Sequence, residues 1–171
     1  ESTYPVLGGV KWFRQYHAML ATPLRIPDVV LGHLAFVLMR VAITSAAFLL
    51  VAWLLGAIGS PWSVLALPVA VLCGMAYATP VFAFSARQDH DSGFALLFRF
   101  AIMPMLLFSG TFFPIDQLPA ALQPVAWVTP LWHGVELARA AATGTAPGWV
   151  GLGHLVVLLA YIGIGWVLAH R

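Results

Sequence analysis

The sequence predicts an all-α membrane protein, a polytopic helix bundle, and three observations carry that prediction. From Val41 to Ala86 the chain runs 46 residues without an Asp, Glu, Lys, Arg or His. Hydrophobic residues make up 61% of the chain and charged residues 8%, where soluble domains carry about a quarter charged. The mean hydropathy is +0.92. As one straight helix the uncharged run would be about 70 Å long, more than twice the ~30 Å hydrocarbon core of a bilayer. It must fold back on itself, and Gly56-Ala-Ile-Gly-Ser-Pro61 supplies the turn: glycine to end one helix, proline to begin the next.

Run length places four spans, at about 34–58, 62–86, 93–113 and 149–169. Helices are the form each span takes, because a helix keeps its backbone hydrogen bonds internal. The third is interrupted by Arg99 and Pro104, and the fourth holds His154 as its ionisable residue. Lys11, Arg14, Arg25, Arg40, Arg87, Arg99 and Arg171 fall on one side of this arrangement and Arg139 on the other. The positive-inside rule then puts the N-terminal segment, the 87–92 loop and the C-terminus in the cytoplasm, in a multi-pass protein of the inner or plasma membrane. A net charge of +2 built from few charges gives no nucleic-acid footprint. Cys73 lies inside an apolar stretch and reads as a small packing residue. The chain opens on Glu1-Ser-Thr-Tyr4, without an initiator Met or a charged start before an apolar run. It is expected to lack a signal peptide and to be the C-terminal part of a longer protein.

Two segments outside the spans are patterned. Trp12, Phe13, Tyr16, Met19 and Leu20 form one apolar face of a helix over 11–20, while Lys11, Arg14, Gln15 and Ala18 fall elsewhere. Such a helix lies on the membrane surface, as an anchor or as a docking surface, until Pro23 and Pro27 break it. The 114–148 connection stays apolar. Asp116 is expected to cap a short helix over 117–126, and Thr129 to cap a second, with Pro130 first in it and Gly144 just past its end. The second helix aligns His133, Glu136 and Arg139 on one stripe. The apolar character of this connection predicts helices dipping into the outer leaflet, packed against protein.

Phe108-Ser-Gly-Thr-Phe-Phe-Pro-Ile-Asp-Gln-Leu-Pro119, then Trp127-Val-Thr-Pro-Leu-Trp-His133 and Glu136-Leu-Ala-Arg139, resemble the C-terminal signature of ABC-2 type permeases. The resemblance extends to the subgroup of nodulation-factor exporter and daunorubicin/doxorubicin-resistance permeases. Tyr16-His-Ala-Met-Leu-Ala-Thr-Pro-Leu-Arg25, with Asp28 and Gly32, looks like the cytoplasmic segment before the third span there. The resemblance implies the last four of six spans, with 1–28 as a coupling segment and 29–171 as the transmembrane domain. It also implies a dimer with a second permease copy or homologue, an ABC ATP-binding subunit as partner, and outer helices acting as the external gate.

On this footing Tyr16, His17, Thr22, Pro23, Arg25 and Asp28 are the expected ATPase-coupling residues. Arg40, Arg99, Pro104, Gly110, Pro114, Pro119, His133 and Glu136 are the expected pathway or gate residues. Arg40 and Arg99 either snorkel or bond between helices, or else meet an anionic substrate; Arg99 lies only about 9 Å along the axis from Gly93. Pro104 is expected to kink its span, and Gly110 to allow a close contact or a break. Asp89-His90-Asp91 reads as a solvated loop or an ATPase contact. His133 and Glu136 offer half of a zinc site without a third ligand, so pairing with Arg139 is favoured. The GxxxxGK[ST], G-x-S-x-G and H-E-x-x-H motifs do not occur. This chain is therefore expected to be no enzyme and to bind no cofactor, with ATP held by the partner. The expected function is export of an amphiphile (drug, glycolipid or lipid-linked saccharide). The alternatives are a non-ABC transporter or scaffold, and an intramembrane enzyme.

Overall fold

A computed structural model of the chain describes residues 2–13, 15–58, 60–112, 115–120, 122–145 and 148–170. Expectations resting on Arg14, Gly59, Phe113, Pro114 and Arg171 lie outside the described residues. Helix α1 covers Tyr4–Leu7 and continues as a π-turn over Gly8–Trp12, and α2 covers Gln15–Leu20. The long helices are α3 (Ile26–Leu54), α4 (Pro61–Ala86) and, last in the chain, α8 (Gly148–Ala169). Between α4 and α8 come α5 (Ser92–Leu107), a 3-10 turn at Ile115–Gln117, α6 (Gln123–Val128) and α7 (Pro130–Thr143).

Three of these helices, α3, α4 and α8, are long and apolar enough to cross a membrane. Helix α3 starts at Ile26, ahead of the position 34 expected. Pro27 occupies its first turn, where the missing N–H costs nothing, and the Asp28 carboxylate accepts the Arg25 N–H at 2.8 Å. The turn after it forms as the local chemistry predicts. Gly56 takes φ +69°, and the Ser60 hydroxyl accepts the Trp62 N–H at the head of α4.

Helix α5 departs from the expected 93–113 span. It ends at Leu107, 16 residues from its start, so it is about 24 Å long and short of a full crossing. Gly110 at φ +78° turns the chain away. The expected kink appears as a π-turn over Phe98–Ile102, directly before Pro104. There the Met103 N–H donates to Phe98 O, and the extra residue per turn eases the clash of the proline ring with the preceding turn. The single short helix expected at 117–126 is likewise replaced. Pro119 and Pro124 supply no N–H, so only a 3-10 turn and then α6, opened by Pro124, form there.

The helix expected over 11–20 is broken as well. Val6 and Leu7 are fully buried, which draws α1 into the bundle and sets a corner at Phe13. Tyr16 turns back over Gly9, while Trp12 and Phe13 stay exposed.

Helix α4 is the pillar of the bundle. At one end Val30, Leu34 and Val37 of α3 pack with Val6, Ala78 and Phe82. Farther along, Ala76 meets Leu137 of α7 and Leu158 of α8. The helices approach backbone to backbone. A Cβ at Gly165 of α8 would fall 2.5 Å from Pro80 N and from Thr79 Oγ1, and one at Gly134 of α7 would lie 2.7 Å from Cys73 Sγ. Cys73 is buried, in the packing role expected of it.

Replacing Gly165 with Leu should therefore part α8 from α4 and cost about 1–3 kcal/mol. Nothing lies within 4 Å of a Cβ at Gly163, two residues away. Thermal melting of the purified protein should show a clear loss for Gly165→Leu and little change for Gly163→Leu; equal melts would contradict the packing.

Candidate functional site

The polar contacts that tie distant segments form two groups, one where α4 ends in the turn after Ala86 and one from the middle of α4 outward, around α7. At the first end Lys11 Nζ meets Asp89 Oδ1 at 2.7 Å, tying the N-terminal segment to the turn between α4 and α5. The Lys11 ammonium holds the Asp89 carboxyl below the usual carboxylate range. Arg87 donates to Leu168 O at 3.0 Å, bringing the end of α8 to the same place. The Tyr4 and Phe94 rings meet edge-on at 4.9 Å. The segments that carry most of the positive charge in sequence thus share one end.

The expected coupling residues lie here. Tyr16 bonds His33 Nδ1 at 3.0 Å, and His33 packs on Phe82, which links α2 to α3 and α4. Burial pushes the Tyr16 phenol up. Thr22 Oγ1 donates to Met19 O and closes α2. Pro23 follows in the turn, and Arg25 and Asp28 form the head of α3. His17, Thr22, Pro23, Arg25 and Asp28 are exposed, so the elbow between α2 and α3 is an accessible knob with Tyr16 as its anchor.

At the far end Arg139 donates to Glu136 Oε1 at 2.6 Å and to Gly110 O at 3.1 Å. It clamps α7 to the turn after α5, so the Glu136–Arg139 pairing forms and reaches further than the helix stripe indicates. Thr129 caps α7 through the Trp132 N–H, and Gly144 ends it at φ +71°. Pro119 follows the 3-10 turn. Arg40 and Arg99 stand apart from this cluster on exposed faces, Arg40 with its guanidinium 5.9 Å from the Phe36 ring centre.

His133 does not join the Glu136–Arg139 pair. It is buried, and its Nδ1 lies 2.6 Å from Nδ1 of His154 on α8, while its Nε2 lies 2.8 Å from Trp127 O. The Trp132 ring meets both imidazoles edge-on, at 4.8 and 5.0 Å. Tyr161 of α8 adds a bond to Val128 O at 2.8 Å. Sequence reasoning noted His154 without giving it a partner, and passed over Tyr161 and His33. The available signal was His154 itself, an ionisable side chain inside an apolar span, which needs a partner. Among the described residues no group of three or more His, Cys, Asp or Glu is placed to hold a metal ion.

The ABC-2 type transporter family matches residues 10–143. Nodulation protein J of Rhizobium leguminosarum bv. viciae is 33% identical over 171 residues, 99% of this chain and 65% of that protein. Nodulation protein J of Rhizobium leguminosarum bv. trifolii is 35% identical over 92% of this chain and 56% of that protein. The protein of the same name from Rhizobium meliloti (strain 1021) is 31% identical over 99% and 64%. This chain therefore spans somewhat less than two thirds of the length of these curated relatives. No solved structure gives a significant match. With its apolar spanning helices and a family match over most of its length, the chain is a membrane protein that belongs to the ABC-2 type transporter family.

Proposed function

We propose that this chain is part of the permease subunit of an ATP-driven exporter, moving an amphiphile such as a glycolipid, lipid-linked saccharide or drug out of the cytoplasm. The observation that carries the reading is the division of the bundle into two ends. An exposed elbow, anchored through Tyr16 and His33 to the spans, sits at the end rich in basic residues. A short, clamped helix system around Gly110, Glu136 and Arg139 sits at the other. In a transporter of this family the first is suited to receive force from a separate ATP-binding subunit in the cytoplasm, and the second to close the outer mouth. ATP hydrolysis is then the partner's task, and a second permease copy completes the pathway in the cell membrane.

The mechanism needs two arrangements of packed helices and a ligand that favours one of them. ATP binding on the partner would push the elbow at 16–28; Tyr16 and His33 would pass that push to α3 and α4. Between α4, α7 and α8 lies an apolar groove of ≈ 490 Å³, lined by Trp62, Leu72, Leu137, Ala141 and Leu155. Its lining suits an acyl chain or another apolar moiety better than a bare saccharide.

Two expectations follow for the full permease reconstituted in vesicles with its ATPase. Arg25→Glu, or a proline inserted beside His17, should lower transport per ATP by about 5- to 150-fold, the usual span of coupling energies, without impairing membrane insertion. Unchanged coupling would remove the elbow from the mechanism. Arg139→Ala leaves the Gly110 carbonyl without this donor at a cost of about 1–3 kcal/mol and should raise passive leak of a dye through the outer mouth. ATP hydrolysis should stay near wild type. Leak indistinguishable from wild type would show that the clamp is not part of the closure.

A further inference from the structure

The His133–His154 contact has a proton arithmetic that the hydrogen bonds around it dictate. Trp127 O can only accept, so the hydrogen between it and His133 sits on Nε2. A neutral His133 then has a bare Nδ1, and His154 must supply the Nδ1–H that spans 2.6 Å between them. One further proton is accommodated on Nε2 of His154, which leaves a single hydrogen between the two Nδ1 atoms. A second is not. It would point two N–H groups at each other and put two positive charges in a pocket where the side chains are only 6% and 8% exposed.

Of the ionisable groups on the packed elements, Glu136 can offset one added positive charge, and none removes the second hydrogen from between the two rings. Helix α7 carries Glu136 and Arg139, engaged with each other at 2.6 Å. Helix α4 offers Cys73 and Tyr77, α8 offers Tyr161, and α6 has none. Neither a thiol nor a phenol gains charge in acid.

We propose that His133 and His154 form a proton-operated joint between α7 and α8, closed while one hydrogen lies between the two Nδ1 atoms and opened when each carries its own. The proposal rests on the exporter reading only in placing this joint at the outer closure. Burial holds His133 below the ordinary imidazole value of 6.5. The folded pair therefore binds fewer protons than an exposed one. Its contribution to stability is complete above that value and is lost as pH falls from there through the lowered value.

The test is a distance measurement on the full chain in lipid nanodiscs. Spin labels go on Ala142→Cys in α7 and Val156→Cys in α8, both exposed positions, with the buried Cys73 left in place. Pulsed EPR is read from about pH 8 to about pH 4.5, across the imidazole range. In the wild type a longer distance should grow in as pH falls below the ordinary imidazole value and vanish on neutralisation. His154→Gln should hold one distance throughout, because an amide can donate to or accept from His133 Nδ1 without taking up a proton. This variant keeps Glu136 and Arg139, so acid effects on that pair appear equally in both proteins. A flat wild-type profile overturns the joint, as does an acid response in His154→Gln equal to the wild type. These distances need neither ATPase nor substrate. Absence of ATP-driven transport in the reconstituted system would sink the exporter reading without bearing on them.

Discussion

Inside a bilayer, apolar side chains gain little by leaving lipid for one another, so helices associate where their surfaces allow dense contact. The bundle depends on that constraint at α4. Only glycine fits where α8 crosses Thr79 and Pro80, and only glycine fits where α7 meets Cys73. Val41 of α3 packs against Gly74 in the same way, with 3.0 Å to a Cβ placed there. Three neighbours thus pack closely on one helix, each contact made at a glycine of one partner or the other, and each gains many weak dispersion contacts at short range. The remaining faces carry large exposed apolar residues, among them Phe48, Trp53, Val64 and Val156. These surfaces belong against lipid or further helices.

Close packing sets where the helices lie, and the polar ties set what can move. Ties between distant segments sit at one end of α4, as Lys11–Asp89, Arg87–Leu168 and Tyr16–His33, and again from its middle outward, as Tyr161–Val128, Cys73–Pro130, His133–His154 and Arg139–Gly110. The core contacts along α4 are otherwise apolar and short-ranged. A bundle built this way shifts as packed bodies, because it holds few directional bonds to stretch gradually. Helix α5 is the exception to the tight fit. A cavity of ≈ 180 Å³ lies between its Leu97 and Ala101 and Tyr77 and Val81 of α4, bridged by the Tyr77 hydroxyl on Met105 Sδ at 3.8 Å, and a π-turn interrupts it ahead of Pro104. It is the element with most room to reorient.

What the sequence discloses follows from the range of the interaction. The turn at 56–61 and the capping of α7 by Thr129 and Gly144 are written in neighbouring residues, and both form as local chemistry predicts. Apolar run length locates α3, α4 and α8, although α3 starts early because Pro27 is at home in a first turn. Periodicity misleads at 11–20, where burial of Val6 and Leu7 overrides an amphipathic pattern and splits the helix. The 117–126 helix fails through local chemistry that was in view: two prolines outweigh a good cap. The His133 pairing is different in kind. Its partner stands 21 residues away on another helix, and residue types alone direct His133 equally well to Glu136.

The same reasoning accounts for Arg139, the one Lys or Arg that the charge distribution sets opposite the other seven. Helix α5 ends after 16 residues, and residues 108–112 after it are not helical. Buried backbone carbonyls there must find donors within the protein. Ser109 and Thr111 bond to each other and to nearby backbone, and the carbonyl of Gly110 takes the Arg139 guanidinium. Glu136 balances the charge from one turn away. A short helix, a left-handed glycine, a buried carbonyl and an ion pair thus form one chain of physical necessity. The charge stays at that end because the backbone it serves cannot be satisfied by lipid.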